Sequence, residues 1–212
     1  MAKKEKSQKT MAEQISGLET KRAELKLGGG QQRIEKQHTS GKLTARERVA
    51  RLVDPNSFQE IGLFALHRST YFGMAGKEMP ADGVVTGCAK IEGRQVHLAS
   101  QDFTVGGGSA GETHNDKVVD MMRLSLKTGS PFVFINDSGG ARVQEGIDSL
   151  AGYGRVFYHN VLLSGVVPQI SIICGPCAGG AVYSPALTDF VIQTQAARMF
   201  ITGPKVIKQV IG

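Results

Sequence analysis

Hydrophobic and polar positions change their spacing near residue 58, which separates two regions of the chain. Beyond that residue, short apolar runs alternate with segments in which apolar residues recur every third or fourth position. The runs are typical of buried strands and the wider spacing of amphipathic helices. The pattern predicts strands at 84–91, 95–105, 131–136, 169–174, 189–193 and 198–201, and helices at 110–128, 146–163, 179–187 and from Pro204. This alternation indicates an α/β fold, but the periodicity leaves both a doubly wound sheet and a spiral of ββα units open.

The first 57 residues have a more charged, mainly helical pattern. The segment 8–27 carries a thin apolar stripe and ends at three glycines, so we expect a helix that docks on a neighbouring surface. A second short helix is predicted after Thr44, because Thr44 and Glu47 form a Thr-x-x-Glu capping box. The chain is therefore predicted to have a basic helical extension over 1–57 and a folded domain over 58–212.

Composition and charge exclude several classes of protein. No apolar run approaches the ~20 residues that cross a bilayer, and the lysine-rich N-terminus lacks the apolar segment of a secretory signal. Three cysteines make no disulfide framework, so we predict a cytoplasmic protein. The net charge of +6 favours an anionic partner, but nucleic acid is disfavoured because aromatic residues are sparse among the basic ones. The five histidines have no metal-binding spacing, so no metal site is predicted.

Glycine is concentrated in three segments that each follow a predicted strand. We name them the first turn (105–111), the second turn (137–142) and the third turn (175–181). Each is predicted to open a helix, where unpaired N–H groups carry roughly half a positive charge. Such groups stabilise an anion without any charged side chain.

The first turn also matches the motifs of two other enzyme classes. Residues 106–111 fit the G-x-G-x-x-G pattern of dinucleotide sites, but Asp137, the nearest acidic residue at a strand end, lies too far along the chain. They also fit the G-x-S-x-G elbow of serine hydrolases, with Ser109, Asp137 and His159 in the right order. His159 falls inside an apolar helical pattern, which favours a structural role.

A C-x-x-C pair, Cys174 and Cys177, overlaps the third turn with the spacing of thioredoxin-like redox sites. The Ala-Gly-Gly that follows is a poor helix start for that fold, and the chain has no tryptophan. Buried cysteines acting as small apolar residues are the favoured interpretation. A zinc site needs a second ligand pair, which Cys88 alone does not supply.

Several longer motifs resemble those of the biotin-dependent acyl-CoA carboxyltransferase family, over about residues 14–212. These motifs are residues 33–38, 41–48, 101–104, 139–146, 149–154, 175–181 and 184–190. The resemblance implies a crotonase-like fold, which is a spiral of ββα units. It also implies that the chain is part of the first, CoA-binding domain of that family, without the second domain that binds biotin.

Members of that family move a carboxyl group between biotin and the carbon next to an acyl-CoA thioester. Removing a proton from that carbon puts negative charge on the thioester oxygen, and backbone N–H groups aimed at the oxygen stabilise it. The resemblance assigns these donors to Gly140, Ala141, Gly180 and Ala181, with Gly139 and Gly179 beside them. It also implies that biotin is the base, so no nucleophilic side chain is expected.

Two further groups of residues are expected to hold the CoA part of the substrate. The expected lining of the CoA channel is Gly106, Gly107, Gly108 and Ser109. The cations expected near the CoA phosphates are Arg33, Lys36, His38 and Lys42. Arg142, Gln144 and Glu145 are expected to support the N–H donors or a subunit interface, and Asp137 and Asp189 to be structural strand ends.

The resemblance also implies partners. We expect an acyl-CoA substrate, first of all propionyl-CoA or methylmalonyl-CoA, and biotin on a carboxyl carrier protein. Biotin carboxylase or decarboxylase-complex subunits and a homo-oligomer, from dimer to hexamer, are expected as well. Two alternatives stay open: a biotin-dependent decarboxylase of malonyl-type acyl-CoA, and a non-catalytic acyl-CoA-binding or assembly module.

Overall fold

Three helices precede the sheet in the computed structural model, which describes residues 10–211. They are α1 (Met11–Lys26), α2 (Gln31–Thr39) and α3 (Ala45–Leu52). Capping boxes begin α1 and α3, and the Thr44–Glu47 box is the one that the sequence predicts. The sequence pattern does not predict α2, because its N-cap residue, Gly30, has no side chain to cap the helix and the helix has few apolar residues.

One mixed sheet contains all the strands of the described chain. The strands are β1 (Gln59–Ile61), β2 (Val84–Ile91), β3 (Arg94–Gln101), β4 (Phe132–Ser138), β5 (Gln169–Ala178), β6 (Phe190–Gln193) and β7 (Arg198–Phe200). Their order is β1-β2-β3-β4-β5-β6, and β7 also pairs with β5. The first three strands are antiparallel, whereas β3, β4 and β5 run parallel to one another.

Helices follow the strands in the alternation that the sequence predicts. They are α4 (Glu112–Thr128), α5 (Ile147–Leu163), α6 (Gly180–Ala186) and α7 (Pro204–Ile211). The predicted strand 169–174 extends to Ala178, because pairing with β4 and β7 keeps Gly175-Pro176 extended where the sequence suggests a turn. The first half of β5 pairs with β6 and the second half with β7. The strand next to β5 therefore changes from β6 to β7 along its length.

Alternate side chains of the strands form two cores on opposite faces of the sheet. Phe132 and Phe134 of β4 pack with the apolar faces of α4 and α5. Val133 and Ile135 pack on the other face with Val49 of α3. Strand side chains point to opposite faces in turn, so one continuously apolar strand supplies both cores. Within residues 10–211, no helix is long and apolar enough to cross a membrane.

The three glycines after α1 have a tertiary role beyond ending that helix. The Gly29 N–H donates to the Thr104 hydroxyl over 3.0 Å. A methyl group on Gly29 would lie 1.9 Å from the Thr104 carbonyl oxygen, so no larger residue fits. The N-terminal helices therefore approach the segment after β3 closely.

A buried ion cluster attaches the same helices to the end of β4. Asp137 is fully buried, and its carboxylate accepts from Lys42 over 2.9 Å and from Arg48 over 2.6 Å. Gln37 of α2 also donates to it, over 3.1 Å. Lys42 in turn lies 4.3 Å from the centre of the Phe103 ring. One carboxylate at the end of a core strand thus holds residues from α2, α3 and the segment between them.

We predict that Asp137→Asn destabilises the fold by ~3–5 kcal/mol, because it leaves two cations without their buried counter-charge. The free energy of unfolding in urea measures the effect. The control is Glu24→Gln, which alters an exposed pair with Lys21 and should change that free energy by less than ~0.5 kcal/mol. Equal effects of the two substitutions would contradict the assigned role of Asp137.

Candidate functional site

The three glycine turns lie together at one edge of the sheet. The first turn follows β3, whereas the second and third turns overlap the ends of β4 and β5; these three strands are parallel neighbours, so their carboxyl ends share that edge. Ligands of open α/β sheets bind outside the carboxyl ends of parallel strands. The topology therefore brings together three segments that are about 30 residues apart in sequence.

Backbone contacts join the first turn to the second. The Gly139 N–H donates to the Gly107 carbonyl over 3.0 Å, and the Ser138 hydroxyl donates to the Gly108 carbonyl over 2.7 Å. A methyl group on Gly108 would lie 2.2 Å from the Asp137 carbonyl oxygen. The two turns can be this close only because residue 108 has no side chain.

The second turn also meets the third. A register shift between Asn136 and Ser138 places Ser138 opposite Cys177 of β5. Gly140 has a φ of 99°, and a methyl group on it would lie 2.6 Å from the Ala178 carbonyl oxygen. The second turn is thus enclosed between the other two, with backbone against backbone on both sides.

Only some of the predicted N–H donors are left without an acceptor. Gly140 donates to the Ser138 hydroxyl over 3.0 Å, and Gly179 to the Phe200 carbonyl over 3.0 Å. The Ala141 N–H has no acceptor within residues 10–211. Gly180 and Ala181 occupy the first turn of α6, where N–H groups have no intrahelical acceptor.

The second turn does not open a helix directly, and here the sequence prediction is wrong. Helix α5 begins only at Ile147, after a short 3₁₀ segment at Val143–Glu145. The Ala141 N–H is therefore set by the turn itself and by its parallel bridge with Ala110, not by a helix terminus.

A buried arginine, Arg142, connects the second turn to the first turn and to two buried carboxylates. Arg142 is 2% exposed and forms ion pairs with Asp82 and, over 2.7 Å, with Glu145. It also donates to the Ser109 carbonyl of the first turn over 2.8 Å. Glu145 in turn accepts from the Glu112 N–H over 2.7 Å, at the start of α4. The expected support by Arg142 and Glu145 is thus present, but it depends on an aspartate that the sequence does not single out.

Asp82 is the residue that local sequence reasoning misses. It lies in a 3₁₀ segment with a φ of 47°, an unusual backbone conformation for a residue other than glycine. Its carboxylate accepts from the His114 N–H over 2.8 Å, and burial raises the pKa of that carboxyl group despite the nearby Arg142. The only local signal is the Asp-Gly pair, which predicts a turn but no charge partner.

His114 is enclosed in the same cluster as a neutral side chain. One of its ring nitrogens lies 2.9 Å from the Asp82 carbonyl and the other 3.4 Å from the Gln101 amide nitrogen. Burial, reinforced by the charge of Arg142, lowers the pKa of His114 to about 3. The ring therefore stays neutral at physiological pH and holds α4 against the Asp82 segment.

Three of the four predicted phosphate-binding cations converge on one cleft. Arg33, Lys36 and Lys42 line a cleft of about 360 Å³, together with Gly106 and Gly107 of the first turn. Two of these cations already have a partner within the protein. Arg33 donates to the Thr104 carbonyl over 3.0 Å, and Lys42 forms an ion pair with Asp137. Lys36 has no acidic partner among the described residues.

The fourth predicted cation lies elsewhere. The His38 ring is 2.9 Å from a carboxylate oxygen of Glu47, the residue that caps α3, and it does not line the cleft. That contact is local and stabilises the helix start.

The structure does not assemble the alternative active sites. The Ser109 hydroxyl donates to the Gly106 carbonyl over 2.8 Å, whereas His159 contacts Arg123 and the Arg155 carbonyl on its own side of the fold. Cys174 and Cys177 are unpaired, and burial raises the pKa of both thiols, that of Cys177 to about 12. Within residues 10–211, Ser109 and His159 therefore form no serine hydrolase triad, and Cys174 and Cys177 form no reactive pair.

We predict that Gly108→Ala destabilises the fold much more than Gly107→Ala. Both glycines have a left-handed φ, 64° and 66°, so each alanine costs ~1–2 kcal/mol for its conformation. Only at residue 108 does the new methyl group collide with backbone, whereas nothing lies within 4 Å of it at residue 107. Urea unfolding should show a further loss of ~1–3 kcal/mol for Gly108→Ala, and similar values would exclude the tight contact.

His114 predicts a specific pH dependence of stability. Its pKa is about 3 in the folded chain against an ordinary 6.5, so the unfolded chain binds the proton first as pH falls. Its contribution is complete above pH 6.5 and is lost as pH falls towards about 3, with ~2 kcal/mol lost by pH 5. His114→Gln should lack this component. Parallel unfolding free energies of wild type and variant between pH 7.5 and 5 would contradict it.

Comparison with known proteins gives a consistent result. Residues 36–212 match the family model described as the carboxyl transferase domain. The chain is 63% identical over 203 residues to the methylmalonyl-CoA carboxyltransferase 12S subunit of Propionibacterium freudenreichii subsp. shermanii, covering 96% of this chain and 39% of that one. It is 58% identical over 204 residues to the methylmalonyl-CoA decarboxylase subunit alpha of Veillonella parvula, which covers 96% of this chain and 40% of that one. It is also 56% identical over 201 residues to the propionyl-CoA carboxylase beta chain of Roseobacter denitrificans, which covers 94% of this chain and 39% of that one.

A solved structure of the transcarboxylase 12S subunit, with methylmalonyl-CoA and methylmalonic acid bound, superposes with a TM-score of 0.95 at 62% identity. The alignment covers 97% of this chain and 40% of that one. The predicted crotonase-like α/β fold is thereby confirmed. The chain spans about two fifths of the length of the relatives that it matches. The chain belongs to the carboxyl transferase domain family.

Proposed function

We propose that this chain supplies the acyl-CoA-binding part of a biotin-dependent carboxyltransferase. In this proposal, backbone N–H groups of the second and third turns bind the thioester oxygen and stabilise the enolate that forms next to it. The observation that carries the proposal is the contact between these turns, because it gathers N–H groups without acceptors at one edge of the sheet.

The chemistry of the reaction requires such donors. When a carboxyl group leaves the carbon next to a thioester, or when a proton leaves that carbon before a carboxyl group joins it, the electron pair of the broken bond delocalises onto the thioester oxygen. A fixed N–H donor in a water-poor site is worth ~2.7–4 kcal/mol of transition-state stabilisation. We assign the donors to Ala141 from the second turn and to Gly180 and Ala181 from the third. The Gly140 N–H, which is bonded to Ser138, has a supporting role.

Among the described residues, the carboxylates beside the turns, Asp82, Asp137 and Glu145, are buried in ion pairs with lysine or arginine side chains. Burial raises the pKa of Tyr153 well above its ordinary value and that of Cys177 to about 12, so neither group is deprotonated and available as a base at neutral pH. We therefore assign proton removal to biotin, which supplies both the carboxyl group and a base when it is bound. No residue of this chain is assigned to hold biotin, and we place its site in a partner domain or subunit.

We further propose that the cleft under the N-terminal helices holds the CoA phosphates. Lys36, Arg33 and Lys42 supply positive charge, and the glycines of the first turn allow the CoA chain to pass close to the backbone. In this arrangement residues 1–57 are an extension that brings cations to a site built on residues 58–212. His38 is assigned to capping α3 instead of phosphate binding.

The names of the relatives support a proposal for the substrate and the partners. We propose propionyl-CoA and methylmalonyl-CoA as substrates, because the relatives carry these names at more than half identity. We also propose a biotin carboxyl carrier protein as partner, a homo-oligomer as the assembled state, and a cytoplasmic location in keeping with three unpaired cysteines.

The direction of carboxyl transfer has two candidates. The decarboxylase relative is 58% identical over this segment, nearly as similar as the transferase relative at 63%. Both directions pass through the same thioester enolate and need the same donors. A carboxyl-transfer assay with free biotin and methylmalonyl-CoA separates turnover from binding alone, and binding without transfer favours a non-catalytic module.

The direct test is calorimetric titration of the chain with CoA, propionyl-CoA and methylmalonyl-CoA. We expect all three to bind, and the two thioesters to bind more tightly than CoA because only they reach the N–H donors. An absence of binding by all three ligands would reject the proposed function.

We predict that Lys36→Gln weakens binding of CoA and of both thioesters by the same factor, about 3- to 10-fold, and that added salt reduces the difference. The matched control is Lys127→Gln, at the exposed end of α4 and away from the cleft. If Lys36→Gln leaves all three affinities unchanged, or if both variants weaken them equally, the cleft is not the phosphate site.

A further inference from the structure

One tyrosine side chain touches the third turn and also lies beside the serine of the second. Tyr153 projects from α5 and packs in the small core that includes Cys177 and Ala181. A methyl group on Gly180 would lie 3.1 Å from its ring atoms Cδ2 and Cε2 and 3.3 Å from Cζ. The ring therefore packs directly against the first residue of α6.

The hydroxyl group of this tyrosine has an unusual environment. Tyr153 is 5% exposed, and its oxygen has no hydrogen-bond partner within residues 10–211. The Ser138 side chain is close enough to lower the pKa of the phenol slightly, although burial dominates and raises it. Ser138 lies opposite Cys177, against which Tyr153 packs, so the two hydroxyl groups are neighbours, but no hydrogen bond joins them.

Ser138 has the capacity to accept that bond. Its hydroxyl donates its proton to the Gly108 carbonyl and accepts the Gly140 N–H, which leaves one lone pair free. A buried hydroxyl without a partner is unfavourable. A small movement that lets Tyr153 donate to Ser138 would therefore lower the free energy. The bond would link Tyr153, whose ring packs against Gly180 of the third turn, to Ser138 of the second turn.

We propose that Tyr153 is a positioning residue that sets the distance between the second and third turns, by donating to the Ser138 hydroxyl when an acyl-CoA thioester occupies the site. The inference rests on the proposed function. In the ligand-free chain the bond is unmade. Binding of the thioester oxygen by Ala141 and Gly180 brings the two hydroxyl groups into hydrogen-bonding geometry, and the Tyr153–Ser138 bond then stabilises the occupied site. Tyr153 does not contact the substrate in this mechanism.

Tyr153→Phe tests the proposal, because it removes the hydroxyl and keeps the ring that supports Gly180. We expect the melting temperature of the ligand-free chain to stay the same or rise, since an unpartnered hydroxyl is removed. Affinity for propionyl-CoA should fall about 3- to 10-fold, the equivalent of one neutral hydrogen bond, while affinity for CoA is unchanged. A hydroxyl with a merely structural role would lower the melting temperature of the ligand-free chain or weaken the binding of CoA and propionyl-CoA equally.

The control is Tyr158→Phe on the same helix, where the side chain is 60% exposed and no effect is expected. Ser138→Ala and the double variant complete a double-mutant cycle. If Tyr153 acts through Ser138, Tyr153→Phe should have no further effect on propionyl-CoA affinity in the Ser138→Ala background.

The outcomes separate this inference from the proposed function. If wild type binds propionyl-CoA more tightly than CoA and Tyr153→Phe keeps that ratio, the inference is wrong and the proposed function stands. A fall of several degrees in the melting temperature of ligand-free Tyr153→Phe would show that the hydroxyl is already bonded, which also overturns it. If wild type binds none of the ligands, the proposed function fails and the inference with it.

Discussion

The site depends on the direct approach of backbone to backbone between the three glycine turns. The second turn lies between the Asp137–Gly108 contact on one side and the Gly140–Ala178 contact on the other. At both places a single methyl group would overlap a carbonyl oxygen. Such contacts fix main-chain groups more firmly than side chains could, because no rotamer has to be chosen. A catalyst that uses N–H groups needs this kind of rigidity.

Two buried ion clusters hold the turns from either side. Asp137 at the end of β4 ties in the N-terminal helices through Lys42 and Arg48. Arg142 at the end of the second turn ties in the first turn, Asp82 and the start of α4. Buried pairs of this kind are weak evidence for stability, since isolating charges from water is costly. Their value in this fold is that each charge fixes the position of a particular turn.

The division of labour between side chains and backbone explains why familiar motifs mislead. The first turn matches two enzyme motifs and the third a redox motif, yet the side chains of Ser109, Cys174 and Cys177 make only local or packing contacts. The glycines of these turns allow backbone segments to approach each other closely, as at Gly108 and Gly140. The serine side chains beside them bond to neighbouring backbone carbonyl groups. Short motifs rich in glycine occur wherever chains meet closely, so their spacing alone does not identify the chemistry.

The sequence by itself determined the α/β class, most of the helices and strands, the three glycine turns and, through long motifs, the family. These features depend on local periodicity, capping and composition, which neighbouring residues express directly. It did not reveal α2, the extension of β5 or the roles of Asp82 and Tyr153, because these depend on partners tens of residues away. Only the tertiary structure decided which N–H groups are free. Gly140 and Ala141 are adjacent in sequence, but the Ser138 hydroxyl occupies one N–H and leaves the other without an acceptor.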